Sequence, residues 1–267
     1  MAKTKAVTKK GKHEVMAKDF ETDSGMGFEK ADKDAYAIPF LTVLQDLSPQ
    51  VKKKNAAYVD GAEPGMIYNS VTEKVYNGEE GILIVPVSYH RNYIEWVPRS
   101  AGGGFVAVHD IEPEGAEWIN DEAGVRCMLP TGNELADTRN HYIVLVDELE
   151  PALICMTKTQ IKKSRKWMSQ MQALKFKGLN GKWFTPPMFA SVFKATIVLE
   201  RKDQNEWYGW KFERVRDVEQ AEYEVAKGFL DAVKEEKAVT DYSNLDRNVN
   251  EEDASSKATK KTDDMPF

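Results

Sequence analysis

From Thr159 to Leu174 the chain holds no Gly or Pro, and Ile161, Ser164, Met168, Met171 and Leu174 recur at the spacing of one helix face. The pattern predicts an amphipathic helix of about four turns. Around it the polarity alternates with period two or stays apolar. Residues 81–89 include Ile-Leu-Ile-Val-Pro-Val, apolar on both faces, which predicts a doubly buried strand with an edge or bulge at Pro86. Residues 92–97 and 105–109 are extended, separated by a glycine-rich turn at 101–104. Residues 141–146 and 152–157 form a hairpin across the acidic turn 147–150. Residues 110–140 are polar and punctuated by Gly and Pro, so a long loop or insertion is expected there. Beyond the helix, residues 178–187 read as a turn-rich connection, and 188–199 and 206–212 as two further strands about a turn at 203–205. A second helix is predicted over 217–237, with Ala221, Val225, Phe229 and Ala232 on one stripe and an acidic opposite face.

Strands, a helix, then two more strands is the order of a mainly β fold of OB-like barrel type, with one helix between strands 3 and 4 and a C-terminal helix added. The expected organisation is a disordered basic and polar arm over 1–35, a core over 36–216, a helix over 217–239 and a disordered acidic tail over 240–267. The arm carries five lysines in its first twelve residues, and core character starts at Tyr36 with Ala-Ile-Pro-Phe-Leu. There is no internal repeat. Of the 267 residues 42% are hydrophobic, which excludes a wholly disordered chain. The longest apolar stretch, residues 81–87, falls far short of the ~20 residues a membrane helix needs, and no secretory signal is visible. The two cysteines, Cys127 and Cys155, have no partner at metal-ligand spacing. A soluble cytoplasmic protein is expected, with no cofactor, no metal and no membrane partner.

Net charge is −6, which taken whole argues against a polyanionic ligand, but its distribution reverses that. Residues 1–157 carry −9 and residues 217–267 carry −7, whereas residues 158–216 hold 14 basic and 4 acidic side chains, a net of +10. Lys158, Lys162 and Lys166 repeat at intervals of four and share a helix face, flanked by Lys163 and Arg165. Like charges at this spacing cost an isolated helix a few tenths of a kcal/mol per pair, so the pattern implies an anion. Lys175, Lys177, Lys182 and Lys194 follow, interleaved with aromatic residues. Cations for phosphates and aromatic faces for unpaired bases are the two components of single-strand recognition. Phe189, Phe193, Trp207 and Trp210 suit a core; Trp167, Trp183 and Phe184 are the stacking candidates. A second constellation is Arg91, Tyr93 and Arg99. Either these grip a nucleotide chain, or Trp96 anchors the core and Arg91 pairs with Glu95. Gly102–Gly104 match no phosphate-loop spacing.

The chain ends Asp263-Asp264-Met265-Pro266-Phe267. This ending suits docking, with Phe267 in an apolar pocket, its carboxylate against a cation, and the two aspartates beside further Lys or Arg of a partner. It resembles the acidic C-terminal tip of bacterial single-stranded-DNA-binding proteins, which end Asp-Asp-Asp-Ile-Pro-Phe; here Met265 replaces the Ile and only two Asp precede it. The body, with residues 37–41 (Ala-Ile-Pro-Phe-Leu), 64–69 (Pro-Gly-Met-Ile-Tyr-Asn), 94–99 (Ile-Glu-Trp-Val-Pro-Arg), 159–164 (Thr-Gln-Ile-Lys-Lys-Ser) and 185–188 (Thr-Pro-Pro-Met), resembles phage-encoded single-stranded-DNA-binding proteins. That resemblance implies an OB fold, coating of single strands in replication, recombination and repair, and a tip that recruits a polymerase, helicase or primase. Homo-oligomerisation is left open, because the core is longer than a minimal OB barrel.

Three alternatives compete. A single-strand annealing protein would use the same basic groove. An assembly protein oligomerising through the 217–237 helix leaves the cationic block without a purpose. A metal-dependent nuclease needs converging carboxylates, but the two acid sets (Asp147, Glu148, Glu150 and Glu112, Glu114, Glu117) lie in turns. The four histidines, His13, His90, His109 and His141, are scattered. The expected protein is therefore not an enzyme.

Overall fold

The computed structural model describes residues 19–24, 26–27, 37–121, 124–202, 204–235 and 240–242. Residues 1–36 and 37–267 form separate units, and in the first of them residues 19–22 are helical. The second begins with three short strands, β1 (Leu41–Val43), β2 (Ile67–Asn69) and β3 (Val75–Tyr76), paired antiparallel in that order. There follow β4 (Ile82–Trp96), β5 (Phe105–His109), β6 (Glu117–Asp121), β7 (Gly124–Met128), β8 (Glu134–Leu145) and β9 (Glu150–Met156). After these come helix α1 (Ile161–Ala173), the two-residue strands β10 (Phe176–Lys177) and β11 (Trp183–Phe184), the long β12 (Ser191–Lys202) and β13 (Asn205–Asp217), and helix α2 (Gln220–Lys234).

The large sheet runs β13-β12-β4-β8-β7-β6, antiparallel throughout, with β5 added to β4 and β9 to β8. Its five long strands thus lie in the order β13-β12-β4-β8-β9, and α1 connects β9 to β12. The fold is mainly β, with one helix in the middle and one near the C-terminus. Among the described residues no closed barrel forms, because no pairing joins β9 to β13. The N-terminal segment fills that gap. Phe40 bridges Leu153 of β9 in parallel, and the Leu153 amide donates to the Pro39 carbonyl at 2.9 Å. Just past β1, the Gln45 carboxamide donates to the Tyr208 carbonyl and accepts from the Tyr208 amide, both at 2.9 Å. Gln160, at the start of α1, accepts from the Trp210 amide at 3.1 Å. Two glutamine side chains thereby do for the edge of β13 what a neighbouring strand does elsewhere.

The expectation that residues 81–89 are apolar on both faces has a direct structural cause: both faces of the sheet are covered. On the inner face Ile82 and Ile84 of β4, Ile143 and Leu145 of β8, Ile154 and Met156 of β9, Phe193 and Ala195 of β12, and Trp210 and Phe212 of β13 surround Trp167 and Met171 of α1. On the outer face Val85, Val87, Tyr142, Val144, Leu153 and Val192 pack against Ala226, Phe229 and Val233 of α2. A bulge between Pro86 and Ser88 sits where the proline removes a ladder donor.

Several expectations need correction. Residues 110–140 are not a long loop: β6 and β7 form a hairpin there and β8 starts at Glu134. Their polarity reflects a two-stranded element covered on few sides. The inward stripe of α1 is Ser164, Trp167 and Met171, rotated from the one expected, because Trp167 takes the central position. That of α2 is Glu222, Ala226, Phe229 and Val233. A carboxylate can point inward there because Arg216 grips both Glu222 oxygens at 2.8 and 2.6 Å. The same pairing holds the Glu222 carboxyl below the usual carboxylate range. Thr240 and Tyr242, assigned to the tail, are ordered against the outer face, with Tyr242 buried between Phe40 and Phe105. Residues 243–267 of the expected tail, and 27 of the 35 residues of the expected arm, lie outside the described residues. No helix among the described residues is long and apolar enough to cross a membrane.

Candidate nucleic-acid interface

Five of the fourteen cations in residues 158–216 are engaged: Lys163 with Glu200, Arg201 with Glu206, Lys211 with Glu213, Arg214 with Asp217 and Arg216 with Glu222. The other nine, Lys158, Lys162, Arg165, Lys166, Lys175, Lys177, Lys182, Lys194 and Lys202, are exposed and make no ion pair with a described residue. Eight of these nine are expected site residues; Lys163 is the one such cation of this block that the protein spends on itself.

Three elements present them. On α1, burial of Ser164, Trp167 and Met171 turns Lys162, Arg165 and Lys166 to solvent as one face. Lys158 stands just before, in a short 3-10 turn, with a positive φ of 49°. On β12, Lys194 follows Val192 on the outer face. Lys194 and Lys166 both act on Glu213, whose carboxyl is held below the usual range first by Lys211 and then by these two lysines. Lys194 stands opposite Glu213 in the β12–β13 ladder, and Glu213 binds Lys211. The third element is the β10–β11 hairpin.

In that hairpin Phe176 pairs with Phe184 and Lys177 with Trp183 across the turn Gly178-Leu179-Asn180-Gly181. The Asn180 side chain accepts from the Lys182 amide at 3.0 Å, and Gly181 adopts a φ of 76° that favours glycine. Leu179 at the tip is fully exposed, Trp183 is 67% exposed and Phe184 47%. The hairpin is not loose: Phe176 and Phe184 meet edge-on at 6.3 Å, and the Arg214 guanidinium lies 5.9 Å from the Phe176 ring. Arg214 in turn donates to Ser191. A small rigid element thus holds two large aromatic surfaces in water between Lys175, Lys177 and Lys182. Leu179 was missed by sequence reasoning; a Gly-x-Asn-Gly turn between two aromatic–lysine pairs was the available signal.

The structure corrects two aromatic assignments. Trp167 is 1% exposed and lies flat on Phe212, ring centroids 3.8 Å apart and planes within 2°, with Phe193 edge-on at 5.8 Å. It is core, and no base can reach it. Tyr93 is 5% exposed, packed with Cys127, Leu129 and Leu135. Arg91 is not Glu95's partner: it meets Asp137 through two hydrogen bonds of 3.0 Å. Glu95 instead accepts from Asn133 at 2.6 Å and contacts His109 at 2.8 Å. Trp96 packs against the outer cluster, as the second arrangement required. Along β4 Arg91 stands roughly 25 Å from Leu83, the residue opposite Lys194. The bulge at Pro86–Ser88 shifts the alternation, so Arg91 lies on the inner face, the one α1 packs on, and Lys194 on the outer face. For Arg99 only the backbone, in a turn over Arg99–Ala101, is described. Asp263, Asp264, Met265, Pro266 and Phe267 lie outside the described residues.

One acid of each set has a structural partner. Glu148 binds Lys74 and Tyr76, and Glu112 accepts from the Trp118 indole at 3.0 Å. Among the described residues no group of three or more His, Cys, Asp or Glu is placed to hold a metal ion. His141 is buried against Ser164 at 2.8 Å, and burial followed by the nearby Arg139 pushes its pKa down to about 3. Burial raises the Cys127 and Cys155 thiols.

Residues 8–239 match the family model described as Pam3 phage gp34-like protein, and the chain belongs to that phage protein family. No curated protein and no solved structure matches it.

Proposed function

We propose that this protein coats single-stranded DNA without sequence preference in phage DNA replication, recombination and repair, as a non-catalytic, cofactor-free component. The observation that carries this reading is the hairpin: two exposed aromatic faces among lysines that make no ion pair with a described residue, following directly on the cationic helix α1 in the chain. The cations neutralise phosphates, and Trp183 and Phe184 stack on unpaired bases, which are available only in a single strand. The five-strand order with its connecting helix supports an OB-type architecture, left partly open and sealed by β1 and Gln45. In this reading the acidic tip, Asp263 to Phe267, recruits a polymerase, helicase or primase and does not bind DNA itself.

The test is a titration of the whole protein with a fluorescently labelled oligo-dT and with a duplex of equal length. The expected result is much tighter binding of the single strand. Equal or tighter binding of the duplex contradicts the proposal, since a duplex hides the base faces the hairpin is built to meet.

A further inference from the structure

The β10–β11 hairpin has two faces and an end, and the three carry different chemistry. Alternation places Phe176 and Phe184 on one face, which Arg214 meets through Phe176, and Lys177 and Trp183 on the other. At the end stands Leu179, its side chain wholly in water. The turn that carries it is closely held. The Gly178 amide donates to the Lys182 carbonyl and the Gly181 amide to the Gly178 carbonyl, both at 2.8 Å. The Asn180 side chain accepts from the Lys182 amide at 3.0 Å. Below the turn the Lys175 ammonium donates to the Thr185 hydroxyl and ties the two strands together.

Turn geometry accounts for Asn180, and for Gly181 with its φ of 76°, but asks nothing of Leu179. A polar residue there would satisfy the same turn and expose no hydrocarbon. A single exposed leucine on an open surface means little. This one crowns a braced element, between Lys177 and Lys182, which are exposed and make no ion pair with a described residue. An apolar tip between such cations fits a ligand that is apolar at its centre and anionic around its rim. The end of a DNA duplex has that form, because its terminal base pair shows one flat face edged by phosphates. It is also the one place where a duplex leaves a base face unstacked. Leucine is among the apolar side chains that proteins set against base steps.

We infer that Leu179 caps the terminal base pair where a duplex gives way to the bound single strand, so that the hairpin meets the junction as well as the strand. This rests on the single-strand reading above and extends it. Trp183 stacks on unpaired bases, and Leu179, farther out on the same hairpin, covers the first pair of the adjoining duplex.

The experiment measures Kd of the whole protein for oligo-dT and for the same oligo-dT joined to a hairpin duplex, at its 5′ end in one substrate and at its 3′ end in another. The proteins compared are the wild type, Leu179→Ser and Leu179→Met. For whichever junction binds more tightly, the ratio of the oligo-dT Kd to the junction Kd should be about fivefold higher in the wild type than in Leu179→Ser, within the range one stacked contact allows. Phosphates added with the duplex raise that ratio in every protein alike, so the difference between proteins isolates the tip. Leu179→Met keeps an apolar tip and should keep the wild-type ratio, and Leu179→Asn replaces Leu179→Ser should the latter fail to fold. The same ratio in the wild type and the polar variant, or a Leu179→Met ratio as low as the polar variant's, overturns the inference. Failure of the wild type to bind oligo-dT at all defeats the underlying reading instead, so the two failures are distinguishable.

Discussion

Trp183→Ala and Trp167→Ala should separate binding from stability, because the same residue type stands in opposite surroundings. Trp183 is 67% exposed on a two-residue strand and touches no core cluster. Truncating it should change stability by no more than about 0.5 kcal/mol, the usual range for a surface site. It should remove one base-stacking platform, a loss of ~1–3 kcal/mol, or about 5- to 150-fold in Kd. Trp167 is 1% exposed and sandwiched among Phe212, Phe193 and the His141 ring. Removing it leaves a cavity and should cost about 3–5 kcal/mol of stability. Fluorescence anisotropy with labelled oligo-dT, run beside thermal melts of both variants, reads the two quantities separately. A Trp183→Ala protein that melts normally and binds with wild-type affinity would refute the stacking role of the hairpin.

Further predictions concern the parts that position this surface. Glu95 is held below the usual carboxylate range by Asn133 and then His109, so its contribution to stability is present above the unfolded value near 4.5 and is lost as pH falls through the lower folded value. The gap in Tm between wild type and Glu95→Gln should therefore be widest near neutrality and shrink as the pH falls below 4.5; a gap that widens on acidification contradicts this. Gln45→Ala removes both partners of the Tyr208 backbone and should cost ~1–3 kcal/mol, with faster hydrogen exchange at Tyr208. Unchanged exchange there would mean that the edge of β13 does not depend on Gln45.

Much of the fold was legible because burial imposes period. The α1 segment, the doubly apolar start of β4 and the β8–β9 hairpin all carry patterns that only one element satisfies. What escaped depended on partners distant in sequence. Trp167 looked like an outward residue beside Lys166 until Phe212, forty-five positions later, supplied the ring it lies on. Arg91 found Asp137 across the β4–β8 ladder rather than Glu95 on its own strand. Local alternation cannot reveal that a bulge at Pro86–Ser88 turns Arg91 to the face opposite Lys194. The glutamines that seal the β13 edge are equally silent, since a carboxamide mimicking a strand has no sequence signature. The cationic face of α1 was readable for the opposite reason: like charges kept at helical spacing need no distant partner to be noticed.

The central claim is that the exposed cations of α1 hold a single-stranded polyanion, and salt titration tests it most directly. With about four or five phosphates neutralised, log K for oligo-dT should fall against log salt with a slope of roughly −3. Replacing Lys162, Arg165 and Lys166 together with Ala should flatten that slope by about 2, from ~0.7 per phosphate contact, and weaken all sequences alike. A slope that is flat in the wild type, or the same in the triple variant, would contradict the account.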